Sequence, residues 1–242
     1  MTQKGFLAMN GMVYAIQGQV MASVKEEEFY QMAASFGTRS LLMLPHEEKG
    51  IAAHASGNGR TMFVVYLGRQ LRTLLYNDRR GRADSITAHE IKLPHTYLFI
   101  WLRNRAVQSG GIFYSQEKLV TGAEDLTPLP LPNVDGSGNI CIGGWSADPS
   151  ASEGGQVEAY TTQLLNSTFN SDTNVHFDRL PDGINPKKHP EYERGWSVEK
   201  LNSCFLELWG RASQNEAPLV WHPHGTPITI QSLMDRHLGA SR

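Results

Sequence analysis

Only two cysteines occur in this 242-residue sequence, and their surroundings differ. Cys141 lies at the end of Thr127-Pro-Leu-Pro-Leu-Pro-Asn-Val-Asp-Gly-Ser-Gly-Asn-Ile and just before Ile142-Gly143-Gly144-Trp145. Pro128, Pro130 and Pro132 fix φ and remove backbone donors, so this segment enters extended and cannot pair as a central strand. Asp135-Gly136-Ser137-Gly138-Asn139 then supplies residues that tolerate left-handed backbone angles. A thiol held between two β-branched residues at the end of such a loop is displayed rather than dispersed in a core pattern, which marks Cys141 as a candidate nucleophile. Cys204 falls beside the apolar stripe of a helical stretch and reads as packing.

Other chemistry-bearing residues are weaker candidates. Asn133 is a natural turn-former, and Asp135 and Asp148 are loop aspartates of the kind surfaces carry in number. Trp145 reads as a hydrophobic anchor under the loop. His222-Pro-His224 lacks a nearby third ligand, so no metal site is expected. Gly136-Ser137-Gly138 has neither the Gly-Lys-Ser/Thr ending of a phosphate loop nor a dinucleotide glycine pattern, and no cofactor is expected.

Pro132-Asn133-Val134-Asp135, followed after three residues by Asn139-Ile140-Cys141, resembles the active-site segment of ubiquitin-conjugating enzymes. In that family a His-Pro-Asn triplet precedes the catalytic cysteine, with eight positions from Asn to Cys, the spacing of Asn133 and Cys141 here. Leu131 stands where the family has His. The missing His, the size and the cysteine context resemble a bacterial branch of the fold, the protein B family of the plasmid-associated PRTRC cassette. The match covers about fifteen residues around the loop.

The resemblance implies an α+β fold of the UBC type: an antiparallel β-meander, a proline-rich active-site loop and helices packed behind. It implies catalytic roles for Cys141 and Asn133, the first carrying a ubiquitin-like modifier as a thioester. Asn133 then either shapes its own turn or donates its amide to the oxyanion formed when an amine attacks. Pro132, Leu131, Gly138, Gly143, Gly144 and Trp145 shape the loop. The glycines leave room for a modifier's C-terminal tail against the backbone. The implied partners are a ubiquitin-like modifier, an adenylating activating enzyme and, as that cassette implies, a metal-dependent peptidase. Two alternatives stay open. One is a catalytically silent UBC-fold module that binds a ubiquitin-like protein non-covalently. The other is a cysteine hydrolase, which would need His176 or His222 as its base.

Composition bounds these readings. A hydrophobic share of 40% and a charged share of 19% are those of an ordinary soluble globule. A net charge of −2 lacks the basic excess that nucleic-acid binding normally shows. Two well-separated cysteines suit a reducing cytoplasm rather than a disulfide framework, and no run is long and apolar enough to cross a bilayer.

The elements that must position the loop follow from periodicity. Residues 1–58 read as an N-terminal extension of strand and helix, with strands at 9–16, Leu41–Leu44 and Ile51–His54. Ser23-Val-Lys-Glu26 has the form of a capping box and predicts a helix to about Phe36. Ala55–Gly59 separates this from a conjugating domain over 59–242. There, 61–67 and 72–76 read as a hairpin closed by Gly68-Arg69-Gln70. Asn77–Asp84 reads as a charged loop and Ile86–Leu93 as a half-buried or edge strand. Tyr97–Leu102 reads as a central strand, paired with 112–114 across a Gly110-Gly111 turn. Past the cysteine, Val157, Tyr160, Leu164, Leu165 and Phe169 mark a helix from about Gly155. Residues 178–194 read as an exposed loop. Ser197 caps a helix faced by Val198, Leu201, Phe205 and Leu208, and Ile230, Leu233, Met234 and Leu238 mark a last one.

Overall fold

The computed structural model describes residues 4–9, 12–17, 20–25, 42–43, 50–77, 86–120, 122–170, 198–214 and 228–238. Of the loop expected at Asn77–Asp84, Asn77 instead ends a strand, pairing with Ile86, and the rest lies outside the described residues, as do the expected loop at 178–194 and the candidate histidines 176, 222 and 224. The N-terminal segment forms β1 (Lys4–Met9), β2 (Met12–Gln17) and β3 (Val20–Lys25), an antiparallel three-stranded sheet. Two strands therefore occupy the stretch expected to hold one. Ser23 lies inside β3, where Ala15 pairs with Ala22 and Tyr14 with Ser23, so it caps no helix. Residues 26–36 of that expected helix are outside the described residues.

The main body is an α+β unit around a seven-stranded, largely antiparallel sheet. Its strands are β4 (Leu42–Met43), β5 (Gly50–Gly57), β6 (Arg60–Asn77), β7 (Ile86–Arg103), β8 (Ala106–Ser115), β9 (Thr127–Pro128) and β10 (Thr168–Phe169). The first six neighbour one another in that order, and β10 adds parallel to β6. The stretch that reads as a separator is the end of β5 and its hairpin turn. Asn58 and Gly59 adopt φ of 55° and 69°, and Gly57 pairs with Arg60. A boundary after residue 58 would cut this hairpin, because β5 pairs with β6 from Gly50 onward.

Two further expectations are corrected by bulges. Gly68 does not close a hairpin. It takes φ of 70° within one 18-residue strand, where the register slips between Tyr66 and Gly68 and again between Gly68 and Gln70. The opposite strand absorbs the slip around Pro94, so Ile86–Leu93 and Tyr97–Leu102 belong to a single strand, β7. A glycine at positive φ kinks a strand as readily as it reverses one. Gly110 and Gly111 lie within β8, opposite Ile100 and Phe99. The β7–β8 reversal instead falls at Asn104-Arg105, whose φ values of 50° and 67° suit a two-residue turn.

Alternation along β6 and β7 sends side chains to two cores. Phe63, Val65, Leu98, Ile100 and Leu102 face one core, shared with α1 (Glu153–Asn166) and α2 (Val198–Gln214). Met62, Val64, Tyr97, Phe99 and Trp101 face the other, closed by α3 (Ile230–Leu238) through Ile230, Leu233, Met234 and Leu238. The helices thus cover both faces of the sheet, not one. The central strands carry apolar residues on both sides and cannot leave either face to water. Ser152 caps α1 by accepting from the Gly155 amide at 3.1 Å. Val157, Tyr160, Leu164 and Leu165 are buried as the 3.6-residue period predicts, while Phe169 is buried one element later, in β10. Cys204 and Leu208 are buried in the first core, so Cys204 is a packing residue. The side chains of Val198, Leu201 and Phe205 are outside the described residues. No helix among the described residues is long and apolar enough to cross a membrane.

Candidate active site

The cysteine loop is built against the edge of β8. Its proline-rich entry pairs only at that edge, with Phe113 opposite Pro128 and Tyr114 opposite Thr127. The Leu129 amide donates to the Ile112 carbonyl at 3.1 Å, and the chain then turns inward, Leu131 donating to the Leu129 carbonyl at 2.8 Å. Leu129, Leu131 and Pro132 are all buried, and Leu131 is only 3% exposed. An aliphatic side chain there packs into the first core.

From Asn133 to Cys141 the chain doubles back on itself. Val134 bridges Ile140, and the Cys141 amide donates to the Asn133 carbonyl at 2.8 Å. Asp135 holds the tip, accepting from the Ser137 and Asn139 amides at 2.8 and 3.0 Å and from the Asn139 side chain at 3.0 Å. That carboxylate is occupied by its own turn, as an Asx-type residue is. The return limb docks on β8. Ile112 donates to the Gly138 carbonyl at 2.8 Å and Ile140 to the Gly110 carbonyl at 2.9 Å. Gly138 takes φ of 86°, and a Cβ there would lie 2.4 Å from the Phe113 ring. Gly111 is equally obligatory, since a Cβ would meet Trp101 at 2.7 Å.

Cys141 emerges from this frame exposed. Beyond it, Gly144 adopts φ of 73°, and a Cβ on Gly143 or Gly144 would meet nothing within 4 Å. The backbone next to the thiol is therefore open rather than packed. Trp145 returns the chain to the core: its ring meets Tyr160 edge-on at 4.9 Å and its indole nitrogen approaches the Val107 carbonyl at 3.4 Å. Asp148 accepts from the Ser150 amide and hydroxyl at 2.8 and 2.7 Å, which holds its carboxyl below the usual range. Like Asp135, it serves a local turn.

Asn133 is oriented by a residue that no sequence signal picks out. Its side-chain oxygen accepts from the Asn170 amide at 2.9 Å, just past β10. A backbone N–H can only donate, so the carboxamide oxygen is fixed toward Asn170. Its NH2 has no partner among the described residues. Beneath the loop, Tyr160 is buried against Gly110, whose Cβ, if present, would lie 2.7 Å from the phenol oxygen. Burial first, and the nearby Cys141 second, push the Tyr160 hydroxyl well above its usual range, so it stays protonated. The sequence shows Tyr160 only as one position of an apolar helix stripe.

The arrangement brings together Cys141, Asn133, Gly143, Gly144, Trp145 and the supporting Leu131, Pro132 and Gly138. His54, His89, His95 and His237 lie on β5, β7 and α3, away from this loop in the chain. No group of three potential metal ligands occurs among the described residues. Comparison with family models, with curated proteins and with solved structures finds no match to this chain.

Proposed function

We propose that the protein is a UBC-fold conjugating enzyme that carries a ubiquitin-like modifier on Cys141 and hands it to an amine. The observation that carries this reading is one braced loop holding both an exposed thiol and, eight residues earlier, an oriented amide whose NH2 has no partner among the described residues. In the first step the Cys141 thiolate attacks the carbonyl carbon of the thioester that joins the modifier's C-terminal glycine to an activating enzyme. The new C–S bond forms, and the old one breaks with its electron pair on the activating enzyme's sulfur. In the second step an amine nitrogen attacks the Cys141 thioester. The oxyanion collapses, the C–S bond breaks with its pair returning to Cys141, and the amine's surplus proton passes to solvent. The Asn133 NH2 donates to the oxyanion, a contact realised only while that charge exists.

The open backbone at Gly143-Gly144 suits an extended peptide tail lying beside the thiol, and the buried Leu131 would supply by packing what a histidine supplies by hydrogen bonding in the ubiquitin-conjugating family that the loop resembles. The reading includes a cytoplasmic setting, a modifier and an adenylating enzyme as partners, and a metal-dependent peptidase encoded alongside. Incubation with ATP, activating enzyme and modifier tests it. A thiol-sensitive adduct should form, persist in Cys204→Ser, and become a reductant-resistant oxyester or vanish in Cys141→Ser. An adduct lost in Cys204→Ser and retained in Cys141→Ser would refute it.

A further inference from the structure

The register slip at Gly68 and Pro94 divides the β6–β7 pair into two lengths, and the one farther from β8 has an open side. β8 pairs with β7 only from His95 onward, so no strand pairs with Ile86–Pro94 on that edge among the described residues. The other flank of the ribbon is taken, since β10 pairs with β6 at Leu75 and Tyr76. On its inner face the ribbon is held. Ile91 and Leu93 are buried in the first core, and Trp209 of α2 meets the His89 ring edge-on at 5.6 Å. On its outer face Ala88 and Glu90 are exposed, and Leu71, opposite Lys92 on β6, is 65% exposed. A strand held this way, with a free row of N–H and C=O groups, is a template for another strand.

We propose that this edge is the contact between two copies of the chain, joined antiparallel about a two-fold axis at Ile91. The occupant follows from charge. In an isologous contact between identical strands each symmetric register is centred on one residue, which faces its own copy. Centred on Glu90 or on Lys92, the register sets like charges face to face, which is destabilising. Centred on His89, it sets Glu90 against Ala88 and Lys92 against Ile86, so neither charge gains a partner. Centred on Ile91, it sets Glu90 against Lys92 and Lys92 against Glu90, two attractive pairs on the solvent face. Neither residue has an ion-pair partner among the described residues. Ala88 then faces Pro94, whose missing N–H falls at the last paired position. The same two charges turn away strands that lack this pattern and admit a second copy. The contact uses no residue of the cysteine loop and stands apart from the carrier reading.

Sedimentation equilibrium of the full-length protein tests it, in reductant because Cys141 is exposed. The average mass of the wild type should rise with concentration from that of one chain toward that of two. Glu90→Lys alters both charge pairs at once, as does Lys92→Glu, so each variant alone should raise the dissociation constant about tenfold or more. An equimolar mixture of the two variants again sets opposite charges face to face and should regain the wild-type affinity. Misfolded protein could not produce that recovery. Hydrogen exchange locates the contact: the amides of Ala88–Lys92 should slow as wild-type concentration rises. A wild type that stays monomeric at every concentration overturns the proposal and leaves the edge to a strand of a different protein. Association indifferent to either charge reversal, a mixture that stays dissociated, or exchange at Ala88–Lys92 independent of concentration also overturns it.

Discussion

Gly138→Ala puts the loop's construction to its hardest test. Two costs add at this position. An L-residue at φ of 86° is strained by roughly 1–2 kcal/mol. The new methyl would also stand 2.4 Å from the Cε1 and Cζ atoms of Phe113. Phe113 has no room to withdraw, because it is fully buried and meets Phe99 edge-on at 5.2 Å. Overpacking of this kind costs about 1–3 kcal/mol. The sum is roughly 2–5 kcal/mol, read as a urea midpoint shift at constant m-value. Relaxation would carry the Gly138 carbonyl off the Ile112 amide and shift the limb that delivers Cys141. Loading of the cysteine should therefore fall along with stability. A variant as stable as the wild type, or one destabilised without any change in cysteine reactivity, would refute the bracing argument.

Further outcomes follow from neighbouring residues. Leu131→Ala removes a side chain that is 3% exposed and should cost about 2–5 kcal/mol in the same urea assay; an unchanged midpoint would contradict its place in the core. Asn133→Ala should spare loading but slow single-turnover discharge about a hundredfold, near 2.7 kcal/mol, while losing the Asn170 contact costs about 1 kcal/mol of stability. Equal losses in loading and discharge would assign Asn133 to the turn alone. His54, buried beside Phe63, has its pKa lowered by burial from 6.5 to about 4. The unfolded chain binds its proton first, so this stabilisation is complete above pH 6.5 and is lost as pH falls toward 4. The loss should reach about 3 kcal/mol in wild type and flatten in His54→Leu, measured by urea melts across that range.

Loop chemistry was legible in the sequence because it is local. Three prolines, an Asp-Gly-Ser-Gly-Asn tip and a flanked cysteine dictate an edge-bound, tightly turned segment wherever it docks. The helices after it were legible for a similar reason, since Val157, Tyr160, Leu164 and Leu165 keep a 3.6-residue period. The strands were harder. Gly68 and Gly110-Gly111 carry the same turn signal whether the chain reverses or bulges, and only pairing with β7 decides between them. The true reversal at Asn104-Arg105 lacks glycine altogether. Ser23 met a local capping rule that strand pairing overrode. Long-range partners left no trace either: nothing in the sequence joins Asn170 to Asn133, or the phenol of Tyr160 to Gly110.

The carrier role itself is tested most directly by a pulse-chase. Protein loaded with labelled modifier is separated from ATP and activating enzyme, then chased with a free amine such as lysine. If Cys141 holds an acyl group for transfer, the label should leave the protein in a first-order decay that quickens with amine concentration and appear as an amide. Cys141→Ser should neither load nor discharge in this way. Label that never loads would identify a non-covalent binder, and label released as free modifier at a rate indifferent to amine would identify a hydrolase; either result would contradict the account.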